Sequence, residues 1–183
     1  MANDTKAFGL RALGKLGSNP ANGGQGQYNI SDNYSTSIFQ GDMVTVDAGY
    51  IAPVVTTTLT TVLGVFNGCL IEVSPTTGKP TWSNKYTQTN ITQGEIQAYV
   101  IDDPNQLYLV KSTGTAAGQT AVGEAYEQVY AAGNSTNGIS GVYLNLGAST
   151  TAQLRILQTS PFIGNEEGVT NEDFIVKIAG TLN

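Results

Sequence analysis

Short β-strands joined by many turns, closed into a small β-barrel or β-sandwich, account for three features of this chain. The first is composition. Only 12% of the 183 residues are charged, about half the usual share, and Thr, Asn, Ser, Gln and Gly take their place. The second is the concentration of β-branched side chains, which lose rotamer freedom in a helix and fit a pleated surface. The third is the regular recurrence of turn formers between apolar runs. A disordered chain of low hydrophobicity would lack those runs, so a folded core is expected.

Residues 1–27 hold seven glycines or prolines and no sustained periodicity. They are read as an extended N-terminal arm, with residues 28–183 as a single β domain that folds without it. Strand signals begin at Tyr28 and sharpen at Met43–Val46, after a tight turn at Gly41-Asp42. A second turn is expected over Asp47–Tyr50. From Ile51 to Val65 the chain is rich in Val and Thr, with Pro53 marking an edge or loop and Gly64 a bulge or close approach. Cys69–Val73 reads as the next strand, and Ser74–Pro80 must reverse the chain.

Alternation then places Ile96, Ala98 and Val100 on one face of a strand from Glu95 to Ile101. Asp102-Asp103-Pro104-Asn105 follows as a turn, predicting a hairpin with Gln106–Lys111. Thr120–Ala132 is the one helical candidate, with Thr120 as cap, Val122, Tyr126 and Val129 near helical spacing, and Gly133 as stop; an irregular strand competes there because of Gly123. Val142–Leu146, Ala152–Gln158 and Phe174–Ile178 supply the last strands, for eight to ten in all and at most one short helix.

The chemistry is sparse. With no histidine, imidazole catalysis and imidazole metal ligation are excluded. Cys69 is the only cysteine, so an internal disulfide and thiolate metal clusters are excluded too, and its apolar neighbours predict a buried thiol. Asp102 and Asp103 are adjacent, so on a strand they face opposite ways and make a poor acid/base pair. Glu166-Glu167 and Glu172-Asp173 form an acidic cluster without calcium-loop spacing, read as an exposed loop. The glycines at 114, 118 and 123 lack the Lys-Ser/Thr of a phosphate loop. The expectation is a protein that is not an enzyme and carries no cofactor.

Net charge is −6, which argues against a nucleic-acid partner, and no run is long enough to span a bilayer. No signal-type apolar segment opens the chain, so secretion is not expected and the sequons at Asn29, Asn33, Asn90 and Asn134 carry little weight. The charge is uneven: Lys6, Arg11 and Lys15 face only Asp4 within residues 1–27, leaving the remainder at −8. A basic arm of this kind suits an acidic partner surface.

The order of several motifs adds a family resemblance. Phe8-Gly9-Leu10-Arg11 is followed by a Gly/Asn-rich stretch, then Ile38-Phe39-Gln40-Gly41-Asp42-Met43-Val44 and Leu63-Gly64-Val65-Phe66-Asn67-Gly68. Thr76-Thr77-Gly78-Lys79-Pro80, Ala98-Tyr99-Val100-Ile101-Asp102-Asp103-Pro104-Asn105, Gly138-Ile139-Ser140-Gly141-Val142 and Leu154-Arg155-Ile156-Leu157 continue the series. Across residues 8–178 this order resembles the small virion structural proteins of tailed bacteriophages, of the head-decoration or cement type. Each motif alone is weak; their order carries the likeness. The resemblance implies a noncatalytic protein on the outer surface of the phage head, made in the host cytoplasm, that clamps the major capsid protein as a homotrimer. Lys6, Phe8, Leu10, Arg11 and Lys15 are the expected arm contacts to the shell or to a neighbouring copy. The alternative is a fibre or tail module that recognises host glycans, with Trp82, Tyr86, Tyr99 or Tyr126 as stacking platforms.

Overall fold

A computed structural model describes residues 3–17, 24–56, 61–72, 78–88, 96–147 and 152–180. In chain order the strands begin with β1 (Arg11–Lys15), β2 (Gly26–Ile30), β3 (Ile38–Phe39), β4 (Met43–Asp47) and β5 (Tyr50–Pro53). Next come β6 (Gly64–Ile71), β7 (Thr81–Ser83), β8 (Lys85–Tyr86), β9 (Ile96–Ile101) and β10 (Gln106–Thr113). The last are β11 (Ala125–Val129), β12 (Tyr143–Asn145), β13 (Leu154–Thr159) and β14 (Asp173–Ile178). The fold is mainly β, as expected, and the helical content of the described residues is a single 3₁₀ turn at Gly118–Ala121.

Five strands close a small barrel in the order β10, β12, β11, β13, β14 and back to β10. Closure is possible because β10 is long enough to serve several partners. One of its edges pairs with β14 over Tyr108–Lys111, and the other pairs with β1 near Leu109 and, in parallel, with β12 at Ser112 and Thr113. Alternate side chains point inward. Tyr108, Val110, Leu144, Leu154, Ile156, Phe174, Val176 and Ile178 fill the interior, and Ala121 and Val142 belong to the same buried cluster.

The second sheet runs β2-β9-β6-β4-β5, all antiparallel, with β7 added to the end of β6. It curls until its edge strands β2 and β5 approach each other without pairing. Its concave face carries Ile30, Val44, Ile51, Phe66, Cys69, Ile96, Ala98 and Val100, covered by Ile38 and Tyr86 from the small β3–β8 pair. Met43 and Val65, one residue out of phase with Val44 and Phe66, point the other way into the barrel core. Thus β4 and β6 belong to two hydrophobic cores at once. Gly64 marks a close approach as expected: a Cβ there would lie 2.3 Å from the Ile101 carbonyl oxygen.

Three local expectations are corrected. The stretch Thr120–Ala132 is not helical. After the 3₁₀ turn, Gly123 sits at φ +91°, and the following backbone bonds to β12 and β13 on either side as β11. Asp102–Asn105 turns the chain but makes no hairpin, because β9 belongs to the second sheet and β10 to the barrel. Cys69 does not open a strand of its own; it lies inside the long β6. Val73 and most of the reversal at Ser74–Pro80 lie outside the described residues.

The N-terminal segment is extended, and its described part runs along the chain's own body. Asn3 is buried; its side-chain amide donates to the Glu166 and Thr170 carbonyls while its Oδ1 accepts from the Glu166 N–H. Gly9 donates to the Val142 carbonyl and Leu10 to that of Gly41. Residues 11–15 then form the β1 strand on β10. The β1 strand and the Leu10 side chain thus join the sheet and the core of the body to which the arm is attached.

Candidate functional surface

Of the five expected contact residues, the structure brings three to one surface. Lys6, Phe8 and Arg11, with Asp4 and Ala7, form one wall of an open groove of about 800 Å³. The facing wall is the segment 132–141. Its shape is set by side-chain bonds within a run of turn formers: Asn134 Oδ1 accepts from the Thr136 N–H at 2.8 Å and Asn137 Oδ1 from the Ile139 N–H at 3.0 Å. Asn84 donates to the Asn137 carbonyl and Lys85 to that of Ser135, tying this wall to the second sheet. A smaller pocket of about 210 Å³ lies beside the groove, between Phe8, Leu10, Gln40, Phe66, Ile101 and Ile139.

Phe8 carries the local electrostatics. The Arg11 guanidinium lies 5.0 Å from its ring centroid and the Lys111 ammonium 5.7 Å, so two cations share one ring quadrupole. Lys111 is itself buried and paired with Asp173 at 2.7 Å. Lys6 and Arg11 face solvent. The other two expected contacts are placed elsewhere. Leu10 is 3% exposed and packs in the barrel core, where it lines the smaller pocket and not the groove. Lys15 forms an ion pair with Asp103 at 2.6 Å.

Asp42 stands behind this surface, wholly buried at the turn before β4. Its Oδ2 accepts from the Phe39 N–H at 2.8 Å, while its Oδ1 has no hydrogen bond of ordinary geometry among the described residues. Burial pushes its pKa up to about 6, against the opposing pull of the Ser140 hydroxyl and the Phe39 amide. Nothing local in the sequence marks it as more than a turn residue.

The remaining candidates separate. Asp102 accepts from the Tyr28 hydroxyl at 2.7 Å and Asp103 pairs with Lys15, so the two serve different partners. In the acidic cluster, Glu172 is buried and its Oε2 accepts from the Gly118 and Gly168 N–H groups, while Asp173 faces Lys111. Among the described residues, no three Asp, Glu, Cys or His side chains converge on a point where a metal ion would sit. Of the four stacking candidates, Tyr86 is fully buried and bonds the Tyr34 carbonyl, and Tyr126 packs against the barrel core. Trp82 is 51% exposed and lies with its ring centroid 5.1 Å from that of Tyr99.

The sequence missed Asn3, Lys111 and the 132–141 wall. Asn3 carries no signal, since its partners are over 160 positions away. The wall did: Asn134-Ser135-Thr136-Asn137-Gly138 is a dense cluster of turn formers. No protein-family model, no curated protein and no solved structure matches the chain.

Proposed function

We propose that this chain is a noncatalytic decoration protein of a tailed-bacteriophage head, holding neighbouring copies of the major capsid protein together from outside. The motif order described above supports that reading, and the observation that carries it furthest is the groove that gathers Lys6, Phe8 and Arg11 against an uncharged, braced wall. On a chain of net charge −6 this is a local basic feature, suited to an acidic strip on the shell. The contact is made by a folded surface, not by a free arm, so little ordering entropy opposes it.

A clamp of this kind stabilises by linkage. A protein that binds the assembled lattice more tightly than separate subunits shifts the balance toward the lattice, and many modest contacts act together. A homotrimer suits the threefold and quasi-threefold positions of an icosahedral shell.

Particle reconstruction tests the proposal. The wild-type chain, added to heads stripped of it, should return in hundreds of copies at threefold positions, and the double substitution Lys6→Glu, Arg11→Glu should lower that occupancy. Both residues are exposed, so the variant keeps the fold. Binding of the wild type should weaken with salt. A few copies confined to a tail or fibre, or full occupancy by the double variant, would each remove the proposal.

A further inference from the structure

The convex face of the second sheet carries a row of residues that neither the barrel nor the groove uses. Register fixes its membership. Across β7, β6, β9 and β2, Trp82 stands opposite Leu70, Leu70 opposite Gln97, and Gln97 opposite Asn29. The neighbouring row sets Gly68 opposite Tyr99 and Tyr99 opposite Gln27. Their strand neighbours Cys69, Ala98 and Ile30 point into the concave core, so these rows point outward. Nearer the barrel the same face is covered, since Val65 and Ile101 pack on the barrel core; at the β7 end it is open.

Trp82 is held in place. A Cβ at position 68 would lie 2.5 Å from Trp82 Cζ2, so the indole lies close over the glycine, tilted 58° to the ring of Tyr99. With Gly68 beneath it and Tyr99 beside it, Trp82 is still half exposed. Across the sheet from it, beyond Leu70 and Tyr99, stand three amides, Gln97 on β9 and Asn29 and Gln27 on β2, each able to donate and accept at once. Not one of the outward positions in these two rows is Asp, Glu, Lys or Arg.

We propose that this face binds a neutral oligosaccharide, with the C–H face of one sugar ring stacked on Trp82 and hydroxyls of the next units bonded by Gln97 and Asn29. The lack of charge selects that occupant: these rows hold no cation to pair with a phosphate, sulfate or carboxylate, which disfavours nucleic acid and acidic glycans. A vicinal diol is matched by an amide, which supplies a donor and an acceptor side by side. Four strands abreast span about 14 Å, a length that suits a short chain of sugars better than a single one. The amphipathic indole, rigid and half exposed, is the kind of side chain that gains contact area at little entropic cost. The site stands apart from the groove, so it is independent of the capsid reading.

The experiment uses the intact chain. Its mobility is followed in native gels containing laminarin, xyloglucan, dextran or heparin, and neutral hexasaccharides are titrated while the emission of Trp82, the one tryptophan in the sequence, is recorded. At least one neutral polysaccharide should retard the chain, heparin should not, and the matching hexasaccharide should shift the emission. Trp82→Ala should weaken retardation by about tenfold or more, and Gln97→Ala and Asn29→Ala by several-fold. Should Trp82→Ala fail to fold by far-ultraviolet dichroism, the two amide variants decide the matter. The proposal is overturned by unchanged emission up to about 10 mM of every sugar, by undiminished binding in the variants, or by retardation in heparin alone. It is also overturned if the emission shifts with protein concentration in the absence of sugar, which would make the face a contact between copies.

Discussion

Asp42 keeps a carboxylate inside the protein, with one oxygen bonded to the Phe39 amide and the other without a hydrogen bond of ordinary geometry among the described residues. Because its pKa rises from 3.8 to about 6 on folding, the folded state holds the proton more tightly than the unfolded one. Its contribution to stability therefore falls as pH climbs from about 4 to about 6, by on the order of 2–3 kcal/mol, and is level above that. Asp42→Asn should be more stable than wild type at neutral pH by about 1–3 kcal/mol. It should also show a flatter stability profile between pH 4 and 6 in urea melts; equal slopes for the two proteins would refute the assignment. Cys69 makes the opposite case for legibility. Its apolar neighbours predict burial, and the thiol is indeed fully covered, its pKa pushed up to about 12. A thiol reagent should modify it only at the rate of unfolding, and fast modification of the native protein would contradict the structure. Apolar burial is written in neighbouring residues; the pairing of Asp42 with Ser140, almost a hundred positions away, is not.

At the scale of elements, β1 tests how the N-terminal segment is used. It lies on β10, and Leu10 ahead of it fills the core beside Val142 and Met43. Leu10→Ala should cost about 2–5 kcal/mol, and removal of residues 2–17 should lower the melting temperature more than any exposed substitution. A truncated chain that melts like wild type would show that β1 contributes nothing. Composition marked this segment as extended, but not where it lies, because its partner strand begins at Gln106. The strands with alternation, β9 and β13, were legible to within one or two residues at their ends. β11 was not: Val122, Tyr126 and Val129 fall near helical spacing, and only the flanking strands decide the matter by supplying backbone partners. Similarly, Asp103 and Asn105 make a sound turn, with the Asn105 N–H bonded to Asp103 Oδ1 at 2.8 Å. Turn chemistry fixes the reversal of the chain, not the sheet that the next strand joins.

For the whole molecule, the two cores are joined through β4 and β6, whose alternate residues enter one or the other. Neither core can lose its packing while the other keeps all of its own. Heating should give one calorimetric transition with equal calorimetric and van't Hoff enthalpies, and two resolved peaks would show that the cores are separate units. The mainly β class, as a small barrel or sandwich, was visible in Val, Ile, Thr and the turn clusters, whereas the identity of the strands that close the barrel was not, since it rests on pairings between distant segments. That closure has a consequence for synthesis. The strands of the second sheet, from β2 to β9, lie within residues 26–101, so this half leaves the ribosome whole and its strands can pair while translation continues. The barrel cannot. Until β14 emerges, the edge of β10 from Tyr108 to Lys111 stays bare, a nascent chain with an open hydrogen-bonding seam. Stalling or premature termination before Asp173 should therefore release chains that aggregate edge to edge, although most of the polypeptide has already been made.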